Sequence, residues 1–193
     1  IIKPMKKLFL FLMMAVMLSG VKAQDVITIG TGTQTSNTMA IPGFFGYHSS
    51  VYLYTSDEMP SGGATLNSLS FETQSTSEGS NRSLKIYLKE VPDETIPGSL
   101  VLDEILEGAT LVYDHVNITV NPSSWNEYVF DSPFVYSGAG NLMVICEGIG
   151  CSGGGGCPVF MTYDQTIQEK AWNKGSDYSA VNHTTSVAYS NRY

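Results

Sequence analysis

The chain has 193 residues and a formal net charge of −8. Residues 1–23 hold four lysines and no acidic residue, so the 170 residues that follow carry a net charge of −12. A surface this acidic repels nucleic acid and anionic lipid, which argues against both as partners. The length predicts a single domain, residues 24–193, large enough to bury a full core without cross-links.

Residues 1–23 are predicted to be a leader plus signal peptide. Residues 1–4 precede the expected initiator Met5, after which Lys6 and Lys7 lead into the apolar run LFLFLMMAVML, and V-K-A stands before Gln24 as a cleavage site. The run is shorter than the roughly 20 residues that a membrane-spanning helix needs. We therefore expect an exported product, secreted or at the cell surface, with no membrane insertion.

Apolar and polar residues alternate in three segments, which predicts half-buried strands. The apolar positions of these segments are Leu69 and Phe71; Leu84, Ile86 and Leu88; and Val116, Ile118 and Val120. Further strands are predicted at 26–30, 50–55, 127–130, 141–146, 159–163 and 185–190, between clusters of Gly, Pro, Asn and Ser. Nine short strands of this kind predict an all-β fold, an antiparallel β-sandwich of jelly-roll type.

One segment, SLVLDEILEG at 99–108, predicts a helix of one or two turns. Ser99 could cap it and Gly108 could end it, while Leu102, Ile105 and Leu106 share one face.

A motif at 133–144 carries a resemblance to a known family. The segments IGTGT, IPGFFGYHSS, VYLYTSDEM, SLKIYL and LVYD, Trp125 and PFVYSGAGNLMV resemble a β-sandwich module of secreted Bacteroidetes surface proteins, similar to the cleaved-adhesin domains of gingipain and hemagglutinin type. Its most specific part is P-F-x-Y-x-G-x-x-N-L-x-V, matched by Pro133, Phe134, Tyr136, Gly138, Asn141, Leu142 and Val144. The glycines suit turn conformations and the apolar residues return to a core, so the motif is architectural rather than catalytic.

The chain departs from that family in two ways. It ends at SNRY, without the S-x-R-P-N-like segment and the further strand that usually close such modules, which predicts a missing last strand or a fragmentary sequence. The D-x-D-x-D-G calcium loop of some adhesin modules is absent as well, so the resemblance does not imply calcium.

The glycine-rich stretch GIGCSGGGGCP, residues 148–158, matches both G-x-G-x-x-G and G-x-S-x-G. Both motifs need a helix directly after the glycines, and the strand-like VFMTY follows instead, which argues against a dinucleotide site and against Ser152 as a nucleophile. We interpret the stretch as a hairpin tip closed by a Cys151–Cys157 disulfide, with Cys146 a buried free thiol. Pairing of Cys146 with Cys151 or with Cys157 stays open.

No cofactor is predicted. Zinc is a poor fit to the three cysteines, because structural zinc sites favour C-x-x-C pairs and four ligands, and calcium is the metal ion that stays possible. Carboxylates lie near predicted turns, where oxygen ligands can converge: Asp57 and Glu58, Asp93 and Glu94, and Asp103, Glu104 and Glu107. Solvated acids on an acidic surface are the alternative, and the metal content stays unknown.

Two segments combine aromatic with polar residues, as sugar sites on β-sandwiches do. The first candidate lies within 162–178: Trp172, Tyr163, Tyr178, Asp164, Asn173 and Asp177. The second is the loop with Phe44, Phe45, Tyr47 and His48. The alternative for both is that the aromatic rings plug the end of the sandwich, which is also the expectation for Trp125.

Three classes of function fit the sequence. The first is a non-catalytic adhesion or carbohydrate-binding module, with glycans or host and cell-surface proteins as partners; the second is a structural spacer without a ligand. The third, a secreted hydrolase, needs a nucleophile or carboxylate pair that no motif supplies. A glycan site requires an exposed aromatic ring beside polar groups, whereas a spacer requires the same rings to be buried.

Overall fold

The computed structural model describes residues 25–36, 40–41, 45–76, 82–97, 100–150, 159–163 and 170–177. They form nine strands and one helix: β1 (Gln34–Ser36), β2 (Tyr47–Tyr54), β3 (Ala64–Thr76), β4 (Arg82–Val91), α1 (Leu102–Leu106), β5 (Thr110–Ile118), β6 (Ser124–Tyr136), β7 (Asn141–Ile149), β8 (Val159–Tyr163) and β9 (Ala171–Ser176). The predicted signal peptide, residues 1–23, lies outside the described residues. Within them, no helix is long and apolar enough to cross a bilayer.

The strands form two antiparallel sheets. The four-stranded sheet has the order β1-β8-β3-β6 and the five-stranded sheet the order β5-β4-β7-β2-β9. Strands β4 and β5, β3 and β6, β2 and β7, and β1 and β8 each pair antiparallel, which is the pattern of one long hairpin rolled up into two sheets. This is the jelly-roll arrangement, with β9 added beside β2, and it confirms the predicted all-β sandwich.

The main core lies between the two sheets. Aromatic rings bridge it from sheet to sheet: Tyr52 contacts Phe71, Phe71 contacts Tyr128, and Tyr128 meets the edge of Tyr113 at a centroid distance of 5.4 Å. Leu84, Ile86 and Leu88, the apolar positions predicted for β4, are fully buried in this core. Each such side chain contributes about 1.5–3 kcal/mol of burial.

A second core covers the outer face of the five-stranded sheet. Its members are residues of β2, β4, β7 and β9 and of the connection between β4 and β5: Val51, Leu53, Val91, Ile96, Leu100, Leu102, Met143, Ile145 and Trp172. Helix α1 belongs to this connection and lays Leu102 on the sheet, with Ile105 and Leu106 beside it, as the sequence predicts. Because it is covered on both faces, β7 is apolar throughout LMVIC rather than alternating.

The motif at 133–144 has a structural reason at most positions. Gly138 has a φ of +83°, and a Cβ there would lie 2.6 Å from the backbone nitrogen of Gly63. The Tyr136 hydroxyl donates to the Gly140 carbonyl at 2.7 Å. Asn141 accepts a hydrogen bond from the Ser56 N–H and donates one to the Asp93 carbonyl, both at 2.7 Å. The motif therefore fixes the β6–β7 turn and ties it to two neighbouring loops.

One open edge of the sandwich is closed by a polar clasp between the sheets. His115 of β5 stacks on Tyr113 and its Nε2 lies 2.7 Å from Oδ1 of Asp131 in β6. Asp131 also accepts the backbone N–H of Asp114 at 3.0 Å. The hydrogen bond from His115, together with that from Asp114, lowers the pKa of the Asp131 carboxyl.

The strand predictions are wrong at two places. Residues 26–30 are not a strand. The strand predicted at 185–190 lies outside the described residues and stays a prediction. Val116, predicted to face inward, is exposed, because Asn117 adopts a left-handed φ of +59° and the register shifts there, so that Ile118 pairs with Arg82 and returns to the core. Strands β1 and β9 were not predicted.

Replacing Asn141 by alanine is expected to lower the free energy of unfolding by about 2 kcal/mol, because a backbone N–H and a carbonyl lose their partners. Urea unfolding measures this change. Asn67→Ala is the matched control, since Asn67 is exposed in β3 and should change stability by less than about 0.5 kcal/mol. Equal losses in both variants would contradict the role assigned to Asn141.

Candidate functional site

The first candidate, residues 162–178, contains an edge strand rather than a binding loop. Trp172 lies on β9 opposite Val51 of β2 and is only 1% exposed, packed in the second core. Its ring is therefore a covering element and not a stacking platform. This is the buried alternative weighed for it from the sequence, and it argues against Trp172 as the centre of a binding site. The polar and glycine residues around it resemble a loop in sequence, but period-two alternation places Trp172 on the covered face.

The members of this candidate that the structure describes are not assembled around the Trp172 ring. Tyr163 belongs to β8, in the opposite sheet, and Asn173 faces the sandwich interior beside Ser50. Asp177 follows the end of β9. Tyr178 and Asp164 lie outside the described residues.

The second candidate, the loop leading into β2, meets the first one. Tyr47 pairs with Ser176 and His48 with Gly175, so β2 and β9 carry the two candidate segments side by side. The ring of Phe45 covers Gly175, where a Cβ would overlap it. Phe44 lies outside the described residues. The structure thus brings the two segments together, but as packed elements and not as an open site.

Buried polar atoms without a partner occur on both faces of this junction of β2 and β9. Nε2 of His48, Nδ2 of Asn173, Oδ1 of Asp177 and Nε1 of Trp172 have no hydrogen-bond partner within the described part of the chain. Burial lowers the pKa of His48 to about 4, so its imidazole is neutral at physiological pH. These atoms are inaccessible to solvent, and we assign the junction a structural role.

The described residues test only part of the cysteine and calcium hypotheses. Cys146 is buried with a free thiol, as predicted, and burial raises its pKa. Cys151 and Cys157 lie outside the described residues. Strands β7 and β8 belong to different sheets, so they do not form the predicted hairpin. No group of three His, Cys, Asp or Glu in the described ranges is placed to hold a metal ion.

An aromatic ring is exposed elsewhere, on the outer face of the four-stranded sheet. Trp125 of β6 is 55% exposed, although the sequence favoured a buried role for it. Glu72 of β3 lies directly opposite Trp125, and Ser70 lies opposite Glu127, which is two residues farther along β6. Directly opposed residues have Cβ atoms about 5 Å apart, so the indole and these polar groups share one patch. We call Trp125, Glu127, Glu72 and Ser70 the Trp125 face.

The polar groups of the Trp125 face are available to a ligand. The side chains of Glu72, Glu127 and Ser70 form no hydrogen bond or ion pair with any described residue. Residues of β6 that alternate with this face point inward, where Tyr128 and Phe130 fill the core. The inward side chains of β6 thus anchor the strand in the main core, while its outward side chains are exposed to solvent.

The sequence contained a signal for this face that is hard to recognise. The side chains of residues 126, 128 and 130 face the core, so alternation places Trp125 on the outer face. The first of these inward residues is polar, which obscures the pattern. Asn126 is buried because its Nδ2 donates to Thr73 Oγ1 and to the Asn121 carbonyl, both at 3.0 Å. Its polarity hides the alternation at the start of β6, and the strand was predicted to begin only at Glu127.

Comparisons of the chain with protein-family models, with curated proteins and with solved structures return no match. The resemblance to cleaved-adhesin modules therefore stays a prediction from the motif, and function has to be argued from the sites themselves.

The two tryptophans are expected to differ strongly in their contribution to stability. Trp172→Ala should lower the free energy of unfolding by roughly 3–5 kcal/mol because it leaves a cavity in the second core. Trp125→Ala should lower it by less than about 1 kcal/mol because the indole is largely exposed. Urea unfolding followed by circular dichroism measures both, and similar losses would show that the burial of one ring is misassigned.

Acid is expected to destabilise the fold through His48. The pKa of His48 is about 4 in the folded state and 6.5 in the unfolded state. Its contribution to the unfolding free energy is therefore fully present above pH 6.5. The contribution is lost as the pH falls toward 4, because the unfolded chain binds the proton first. Between ~pH 7 and ~pH 5 this loss is about 2 kcal/mol in unfolding free energy. His48→Gln should remove that loss and His115→Gln, at an exposed histidine, should keep it; an unchanged pH slope in His48→Gln would contradict the assignment.

Proposed function

We propose that this protein is an exported, non-catalytic adhesion or carbohydrate-binding module of jelly-roll type, and that sugar rings stack on Trp125. The observation that carries the proposal is the exposed indole on a rigid sheet face with unpaired polar groups beside it. An exposed indole offers a flat apolar surface to the C–H face of a sugar, and the carboxylates of Glu72 and Glu127 can accept hydrogen bonds from hydroxyl groups. The predicted signal peptide and the resemblance to adhesin modules support the same class.

The geometry favours this face over the junction of β2 and β9. A ligand at the junction would have to displace Phe45 from Gly175 or open the core around Trp172, which costs packing on both faces of β2. On the Trp125 face the aromatic ring and its polar neighbours are already placed, so binding requires little reorganisation. A preorganised site binds more tightly, because fewer side chains lose conformational entropy when the ligand binds.

A structural spacer is the second candidate function. The burial of Trp172 favours it, because the aromatic residue with the most polar surroundings in the sequence serves packing and not binding. A spacer would use the Trp125 face only as solvated surface, since single exposed apolar residues are common on proteins.

A glycan array probed with the full chain separates these functions. Binding to one or more glycans should be lost in Trp125→Ala, because the stacking surface is removed while the fold is kept. Val135→Ala is the matched control: Val135 is 71% exposed on the same strand but lies near its other end, opposite Thr65, and its loss should leave binding unchanged. Binding that survives in Trp125→Ala would refute the site, and no binding by folded protein would favour the spacer.

A further inference from the structure

The charges of the sandwich are divided unequally between its two sheets. Strands β1, β3, β6 and β8, as the structure describes them, contain no Lys, Arg or His, and their charged residues are Glu72, Glu127 and Asp131. The Lys, Arg and His residues of the described strands belong to the five-stranded sheet: His48, Arg82, Lys85, Lys89, His115 and Lys174. The Trp125 face is therefore acidic without a basic neighbour in its own sheet.

The acids of the two sheets are also used differently. In the five-stranded sheet Asp114 forms an ion pair with Lys85 at 3.2 Å. In the four-stranded sheet Asp131 is bound to His115 of the other sheet, which leaves Glu72 and Glu127 as the uncompensated charges. These two carboxylates flank the indole, one opposite it and one about 7 Å along the same strand.

We propose that the Trp125 face selects sugars that carry a positive charge, namely oligosaccharides of hexosamine with free amino groups, over neutral and acidic sugars. This inference rests on the proposed function and names its ligand class. A protonated amine is attracted to the face of an indole and to a neighbouring carboxylate, and tryptophan is the best of the aromatic residues for this contact. Sialylated, sulfated or uronic sugars would bring a like charge beside Glu72 and Glu127, which is unfavourable, and the net charge of −12 after residue 23 adds to the repulsion.

A matched pair of oligosaccharides tests the charge preference. The full chain is titrated by calorimetry with the glucosamine tetramer and with the N-acetylglucosamine tetramer. They share a backbone, but the amines of the first are acetylated to neutral amides in the second. We expect the charged tetramer to bind about five- to tenfold more tightly, the effect of one or two exposed charge contacts. The preference should shrink as salt is added and should vanish at a pH that deprotonates the amine.

Three variants assign the effect to residues. Glu72→Gln and Glu127→Gln should each reduce the preference for the charged tetramer while the neutral tetramer binds as before, and Trp125→Ala should abolish binding of both. Equal affinity for the two tetramers, lost in Trp125→Ala, would overturn the charge selection and leave the proposed function standing.

The other possible outcomes of these titrations also test the ligand class or the proposed function. Failure of both tetramers to bind a folded chain that does bind other glycans through Trp125 would overturn the ligand class, and failure of every glycan would overturn the proposed function with it. Binding of the charged tetramer that survives in Trp125→Ala would show nonspecific attraction and overturn the proposal. Displacement of the charged tetramer by a lysine-rich peptide of equal charge would show that the site recognises the amine of a protein and not a sugar.

Discussion

The five-stranded sheet has to be covered on both of its faces, and the rest of the structure follows from that. Strands β2 and β7 carry apolar residues at successive positions, so one set of side chains faces the other sheet and the second set faces outward. The outward set is covered by the β4–β5 connection with α1 and by Trp172 of β9. Trp172 thus serves this cover, whereas Trp125 is exposed on the outer face of the opposite sheet.

Double coverage also explains how the loops are held. The Asn141 side chain binds the loops that contain Ser56 and Asp93, and the Glu90 carboxylate accepts hydrogen bonds from the Ser137 and Gly138 backbone. The β4–β5 connection therefore starts from a fixed point beside the β6–β7 turn. A motif whose residues hold turns in place identifies an architecture, and for this reason none of its residues is assigned to a ligand site.

Much of the fold could be predicted from the sequence, because apolar and polar residues alternate reliably where one face of a strand is exposed to solvent. The apolar positions of β4 and the short helix ending before Gly108 are examples. Prediction failed where local backbone geometry reverses the alternation, as at Asn117, whose left-handed conformation leaves Val116 outside. It failed also at β9, because Asn173, Lys174 and Gly175 have low strand propensity and the strand is stabilised by pairing with β2.

The candidate site was harder to predict than the fold. Polar neighbours in the sequence suggest that an aromatic residue is exposed, but they do not determine which face of a strand it occupies. Trp172 stands among polar residues yet is buried, and Trp125 precedes a buried asparagine yet is exposed. Which face of a strand a residue occupies depends on partners distant in the sequence, such as the Thr73 hydroxyl that accepts the Asn126 amide. A short segment of sequence does not contain these distant partners and so cannot show which face the residue occupies.

The opposite placement of the two tryptophans is the central claim, and the indole N–H signals of Trp125 and Trp172 in a ¹⁵N NMR spectrum test it most directly. After transfer into D₂O, the Trp125 signal should disappear at once and the Trp172 signal should persist, and addition of an oligosaccharide that binds should shift the Trp125 signal alone. Rapid exchange of the Trp172 signal, or a ligand-induced shift at Trp172 with none at Trp125, would contradict the account.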